Sequence, residues 1–103
     1  MITENKKMFL YIIKCNEFYK IGISYEPYCR IDNMQTSNPF KLELIFKKQF
    51  NNVLKIEKEL HKLFINKREI GEWFKLSEKD LLKIDRLLTQ HGQQPYNNNS
   101  LDY

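Results

Sequence analysis

Five side chains in this sequence are of the types that move protons, grip phosphate or hold a hard cation: Tyr11, Lys20, Arg30, Glu57 and His61. Tyr11 and Lys20 lie in two apolar, β-rich runs, Met8 to Lys14 and Phe18 to Ile23, joined by a short turn around Asn16. A loop with an even number of residues, 15–16 or 14–17, sets Tyr11 directly opposite Lys20 on one sheet face. An odd loop would pair Tyr11 with Ile21 instead. At pH 7 a phenol of pKa ~10 costs about 4 kcal/mol to ionise. An ammonium ~4 Å away returns about 4 kcal/mol at an effective dielectric of ~20, before desolvation is subtracted. Such a pair is poised to accept a proton, either on the phenolate or on a neutral Lys20. Arg30 adds a permanent charge on a planar fork that fits a phosphate. Glu57 offers one hard oxygen ligand, which suits magnesium because that ion keeps several waters. His61, one helical turn from Glu57, could orient water or phosphate, or simply hydrogen-bond its neighbour. Together these groups meet the needs of phosphodiester cleavage: an activated attacking group, charge neutralised on the phosphate, and a stabilised leaving oxygen.

Competing constellations are weaker. Cys15, Cys29, His61 and His91 have no spacing that matches a short zinc-ligand rhythm. Gly22 is a lone glycine, suited to a strand bend or close backbone approach and not to a phosphate-cradling loop.

The elements that must position these groups follow from the apolar pattern. The two runs form a β-hairpin, with Asn16 tolerating the left-handed turn conformation. Pro27 opens a short helix carrying Tyr28, Ile31 and Gln35 on one stripe, with Met34 beside them, and the helix stops near Thr36 at Gln-Thr-Ser-Asn-Pro. Leu42, Leu44 and Phe46 alternate with Glu43, Ile45 and Lys47, giving a third strand. Asn52 caps a helix over 53–68 whose apolar stripe is Val53, Ile56, Leu60, Leu63 and Phe64. Glu57 falls on the edge of that stripe and Arg68 returns to the same flank. Gly71 breaks the chain before Glu72-Trp73-Phe74. Ser77 and Asp80 form a capping box that opens a last helix, 78–90, with Leu81, Ile84 and Leu88 inward. The order β-β-α-β-α-α predicts an α+β fold: a small three-stranded antiparallel sheet flanked by helices. Residues 1–7 read as a flexible N-terminus, 8–90 as the domain, and 91–103 as a disordered polar tail without Lys or Arg.

Composition bounds the alternatives. The chain has 103 residues, 42% hydrophobic and 14% aromatic, and a formal charge of +4. That length holds one domain with one core and needs no disulfide. No apolar run is long enough to span a membrane, and no secretory signal opens the chain. Two cysteines fit a reducing cytoplasm. The excess positive charge is concentrated in the first half and suits an anionic partner, although +4 is also an ordinary solubility charge.

The ordered set Phe9-Leu10-Tyr11, Tyr19-Lys20-Ile21-Gly22, Arg30, Gln35-Thr36-Ser37-Asn38-Pro39, Glu57-x-x-Leu60-His61 and Gly71-Glu72-Trp73-Phe74 resembles the GIY-YIG endonuclease superfamily. The branch it is most similar to is the short domain of phage and mobile-element proteins. The resemblance spans about residues 8–84. It implies that Tyr11 is the first-motif tyrosine, Gly22 the second-motif glycine, Arg30 the arginine of the first helix and Glu57 the metal ligand of the second. It also implies hydrolysis of DNA phosphodiester bonds with one divalent cation, Mg2+ or Mn2+. Lys20 stands where many relatives place a second tyrosine, and the adjacent Tyr19 points to the opposite strand face. On this reading the catalytic set is Tyr11, Lys20, Arg30 and His61, the metal ligand is Glu57, and the partner is DNA. Glu72 holds the Gly71 turn, and Trp73 and Phe74 belong to the core. A homodimer or a protein partner would have to supply target choice. The alternatives are a non-catalytic DNA-binding or regulatory module on the same fold, and a protein-interaction factor.

Overall fold

A hairpin of β1 (Phe9–Cys15) and β2 (Phe18–Ser24) is the centre of the structure, a computed structural model that describes residues 8–92. Its turn is Asn16-Glu17, and Asn16 takes a left-handed φ of 57°. The turn sits later than the expected loops, so Tyr11 pairs with Gly22 and Lys20 pairs with Ile13. The expected Tyr11–Lys20 pairing is therefore corrected. The loop is still even, so Lys20 keeps the face of Tyr11 as its diagonal neighbour.

The helix α1 (Pro27–Thr36) opens on Pro27 and ends at Thr36, as expected. Gln35 then secures the following loop. Its Nε2 donates to the carbonyls of Asn38 (3.3 Å) and Phe40 (2.9 Å), and its Oε1 accepts from the Leu42 N–H (2.8 Å). β3 (Glu43–Gln49) pairs antiparallel with β1 through a bulge that leaves Ile45 unpaired, between Leu44 opposite Ile13 and Phe46 opposite Ile12. The bulge reverses the alternation. Leu44 packs with Tyr11 and Ile13, whereas Phe46 packs on the other side of the sheet.

The helix α2 (Val53–Leu63) is shorter than the expected 53–68. A 3-10 turn (Ile65–Lys67) follows it, then a hairpin of β4 (Arg68–Ile70) and β5 (Trp73–Lys75). Arg68 thus lies on a strand and not on the helix flank. The sheet has five antiparallel strands, in the order β3-β1-β2-β5-β4, where three were expected. The added strands are three residues each, and β4 is exposed throughout, so they carry too little alternation to register as strands. Gly71, at φ 56°, supplies the left-handed residue of their turn. Asn52 occupies the start of α2 but makes no side-chain cap; its Nδ2 faces His91 Nδ1 at 3.3 Å. Leu63 is half-exposed and not inward.

The helix α3 (Glu78–Gly92) begins at the expected capping box. Ser77 Oγ accepts from the Asp80 N–H (3.2 Å), and Asp80 Oδ2 accepts from the Ser77 N–H (2.9 Å). α3 runs past the expected end at 90, and the remaining tail, like residues 1–7, lies outside the described residues. The main core joins Leu10, Ile12, Tyr19 and Ile21 of the hairpin to Ile56 and Leu60 of α2 and Ile84 and Leu88 of α3. A second, smaller cluster fills the other face, where Tyr11, Ile13, Cys15 and Leu42 meet Ile31 and Met34 of α1. No helix among the described residues is long and apolar enough to cross a membrane.

Candidate functional site

The site forms where β2 loses its neighbour. β5 pairs with β2 only as far as Lys20–Trp73. One more backbone bond, from the Ile21 N–H to the Glu72 carbonyl (3.2 Å), closes the join. Beyond it α2 reaches the strand from below. His61 Nε2 lies 2.8 Å from the Ile21 carbonyl. A carbonyl only accepts, so Nε2 carries the proton and donates it. The imidazole is fixed further by an edge contact with Phe74, ring centres 5.0 Å apart. Glu57, one turn earlier, places Oε2 4.0 Å from His61 Nε2.

Tyr11 arrives from the opposite face. Its ring lies across Gly22, and only glycine fits beneath it. A Cβ at Gly22 would stand 2.6 Å from the Tyr11 hydroxyl, 2.8 Å from Cζ and 3.1 Å from Glu72 Oε1. This close approach is the structural use of Gly22. The tyrosine is 1% exposed, so its ring belongs to the smaller core cluster while its hydroxyl reaches the polar groups at the edge. That hydroxyl is buried and has no hydrogen-bond partner among the described residues. Burial pushes its pKa above 10.0. Arg30 lies near enough to the hydroxyl to pull that pKa down, though not in full hydrogen-bond geometry, and the charges of Glu72 and Glu57 push it up.

Lys20 does not contact Tyr11 as an isolated pair. Its Nζ lies 3.0 Å from Glu72 Oε1 and 5.8 Å from the centre of the Trp73 ring. Oxygen and nitrogen donors of Glu57, His61 and Glu72 fall within 4.8 Å of one another. Glu57 is held above the ordinary carboxylate pKa of 4.5, first by burial and then by Glu72, with His61, Lys20 and Lys58 opposing. A carboxylate whose ionisation is opposed by burial and by a second acid beside it is a natural seat for a cation. The fit is to a hard, oxygen-preferring ion, because two of the three groups are carboxylates and His61 Nε2 is committed to the Ile21 carbonyl.

Tyr11, Lys20, Arg30, Glu57 and His61 therefore converge on one edge of the sheet. Glu72 joins them, where the sequence favours a turn-holding part over contact with the site. The signal available was its place in Gly71-Glu72-Trp73-Phe74, and reading it required the β4–β5 hairpin. A family model for the T5orf172 domain matches residues 8–89. The chain belongs to the T5orf172 domain family. T5orf172 is a phage-type domain associated with nuclease proteins, which makes a nuclease or DNA-binding role plausible for this chain. No curated protein and no solved structure matches it. The matched span runs from β1 through most of α3, so every residue of the site lies inside the T5orf172 domain.

Proposed function

We propose that this T5orf172 domain is a metal-dependent DNA endonuclease of GIY-YIG type. The observation that carries the reading is the convergence over Gly22 of a buried phenol that makes no hydrogen bond, an arginine and two neighbouring carboxylates, Glu57 and Glu72, the second of which makes the first harder to ionise. Glu57 and Glu72 would hold a Mg2+ or Mn2+ ion. Bound there, the ion would offset the charges of Glu72 and Glu57, which add to burial in holding Tyr11 protonated, and would stabilise the leaving oxygen.

The protein's own groups divide the remaining work. Arg30 binds the phosphate and faces the phenol, so it favours the phenolate while carrying charge that builds on phosphorus. The phenolate of Tyr11 takes the proton of the attacking water. The water oxygen bonds to phosphorus, one P–O ester bond breaks, and the departing oxygen is protonated from solvent. Lys20, tethered to Glu72, presents a cation to the strand beside the scissile phosphate. His61 is a positioning residue. It holds the Ile21 carbonyl and so fixes α2, and Glu57 with it, against β2.

Nicking of supercoiled plasmid with Mg2+ or Mn2+ tests the proposal. Activity in the wild type and its loss in Tyr11→Phe and Glu57→Gln are expected. Salt-dependent DNA binding with no cleavage under either metal would replace the nuclease with a non-catalytic DNA-binding module.

A further inference from the structure

A cleft of about 420 Å³ opens beside Trp73 on the α1 side of the sheet, between the β1–β2 turn, the loop after α1 and the tip of β4. Its size is in the range of small-ligand sites. Phe18, Phe40 and Trp73 give it aromatic walls and Ile70 an aliphatic one; Asn16, Asn38 and Glu69 supply polar groups at its rim. Two of its apolar residues are left in water, Phe40 at 55% exposure and Ile70 at 73%. Phe40 is nonetheless held in place. Its carbonyl accepts from Gln35 Nε2 (2.9 Å) and its N–H donates to Asn38 Oδ1 (2.9 Å). An aromatic ring whose backbone is fixed while its face stays wet is preorganised to stack on a planar partner.

The cleft adjoins the site through Trp73. Trp73 pairs with Lys20 across the β2–β5 join, and the Lys20 ammonium lies over its ring while bonding Glu72. A ligand seated against Trp73 therefore has a cation on its flank, and it needs an anionic portion there and a planar, uncharged portion within. Glu69 at the rim disfavours phosphate in the cleft itself but accepts from a base-edge N–H such as thymine N3–H. Asn38 commits its Oδ1 to Phe40, which leaves its NH2 to address an acceptor on a base edge.

We infer that this cleft holds an unpaired nucleobase of a DNA strand whose phosphate lies at the Tyr11–Arg30 cluster. The inference rests on the proposed nuclease function and adds a substrate preference. A base inside duplex DNA cannot enter, so strands with an unpaired or extruded base next to the scissile phosphate bind best.

Trp73 is the single tryptophan of the chain, so its fluorescence reports on this cleft directly. The full chain is titrated in chelator-containing buffer with a short oligothymidine and with an abasic strand of the same length. Plasmid nicking with Mn2+ is measured in parallel. Saturable quenching by oligothymidine is expected, with affinity about ten-fold above that for the abasic strand. Phe40→Ala, an exposed position, is expected to remove most of that preference while leaving abasic binding unchanged. Equal affinity and quenching for the two strands, no binding of either, or an undiminished preference in Phe40→Ala would overturn the base cleft, whatever the plasmid shows. Base-dependent quenching without any nicking supports the cleft and overturns the nuclease alone.

Discussion

Asp80 and Glu57 are both carboxylates drawn out of water, and their surroundings drive them in opposite directions. Burial works against the charge of Asp80, which is 4% exposed, but its partners outweigh it. Lys67 Nζ donates at 2.6 Å and the Ser77 N–H at 2.9 Å, and its carboxyl falls below the usual 3.8. Glu57 meets burial and a second acid together. His61, Lys20 and Lys58 only partly compensate, and its carboxyl rises. The lysine pairs differ in the same sense. Lys67 closes a finished network at the start of α3, whereas Lys20 binds a Glu72 that still faces the unsatisfied cluster. A charge satisfied within the chain serves the fold. A charge left short of partners stores an affinity that a cation or a phosphate can release.

The largest effects are expected on the unsatisfied side. Tyr11→Phe should lower plasmid nicking by about 10²–10⁴-fold, the usual range for losing an acid–base group, and Glu57→Gln should abolish most of it by removing a metal ligand. Neither should lose stability. Tyr11→Phe removes a buried hydroxyl that has no partner, so thermal unfolding should show equal or greater stability. For Glu57 the sign follows from its raised pKa. The folded state binds the proton more tightly than the unfolded state, so stability falls as pH rises through that window. Glu57→Gln removes that loss and should be the more stable protein at neutral pH. Melting curves with a lower midpoint for both variants would place these residues with Asp80 as structural groups.

Gly22→Ala probes the same edge from the backbone. The added Cβ must displace the Tyr11 ring, whose Cζ would lie 2.8 Å away. Overpacking of this kind costs about 1–3 kcal/mol. Nicking should fall with it, because the phenol can no longer lie across the strand toward Glu57 and Glu72.

Much of this was legible in the chain because the long apolar patterns are local. The β1–β2 hairpin, α1 starting at Pro27, and the Ser77–Asp80 box each follow from residues within a few positions of one another. Three things were not legible. Moving the turn to Asn16-Glu17 changes every partner without changing any residue's propensity, and it replaced Tyr11–Lys20 with Tyr11–Gly22. The exposed β4–β5 hairpin has neither length nor alternation, yet it brings Glu72 to Lys20. The bulge at Ile45 likewise depends on pairing with β1 and leaves no trace in the order Leu-Ile-Phe. Tyr11, Arg30 and Glu57 could be named in advance because a family pattern marks them. Glu72 could not, because its role exists only across strands.

On the satisfied side the expected effect is on stability. Asp80→Ala removes a charge-assisted bond to Lys67 and a helix-start bond to Ser77, together worth about 1–3 kcal/mol once the exposure of Lys67 is allowed for. Because the folded-state pKa of Asp80 lies below its unfolded value, its contribution is complete above about pH 4. It disappears as pH falls through the folded value. Asp80→Asn should therefore flatten the acid limb of a stability–pH profile, with little change in nicking per folded molecule. An unchanged acid limb would mean that Asp80 is not the group that sets it.

The smallest expected effect joins the two sides in one measurement. An ion that binds the folded chain and not the unfolded one stabilises it by about 1.4 kcal/mol at ten times its Kd. For a domain of this size that is a rise in Tm of roughly 6–11 °C. Mn2+ should produce such a rise in the wild type and in Asp80→Asn, since the Asp80 network is already closed by Lys67. Glu57→Gln should lose the rise, because the acid that most needs a counter-charge is gone. Lys20→Met sharpens the contrast. Removing the ammonium frees Glu72 Oε1 and leaves Glu57 with less compensation, so the metal-dependent rise should grow even as nicking falls. A rise that persists in Glu57→Gln and vanishes in Asp80→Asn would put the cation at the start of α3, and the distinction between the two carboxylates would be reversed.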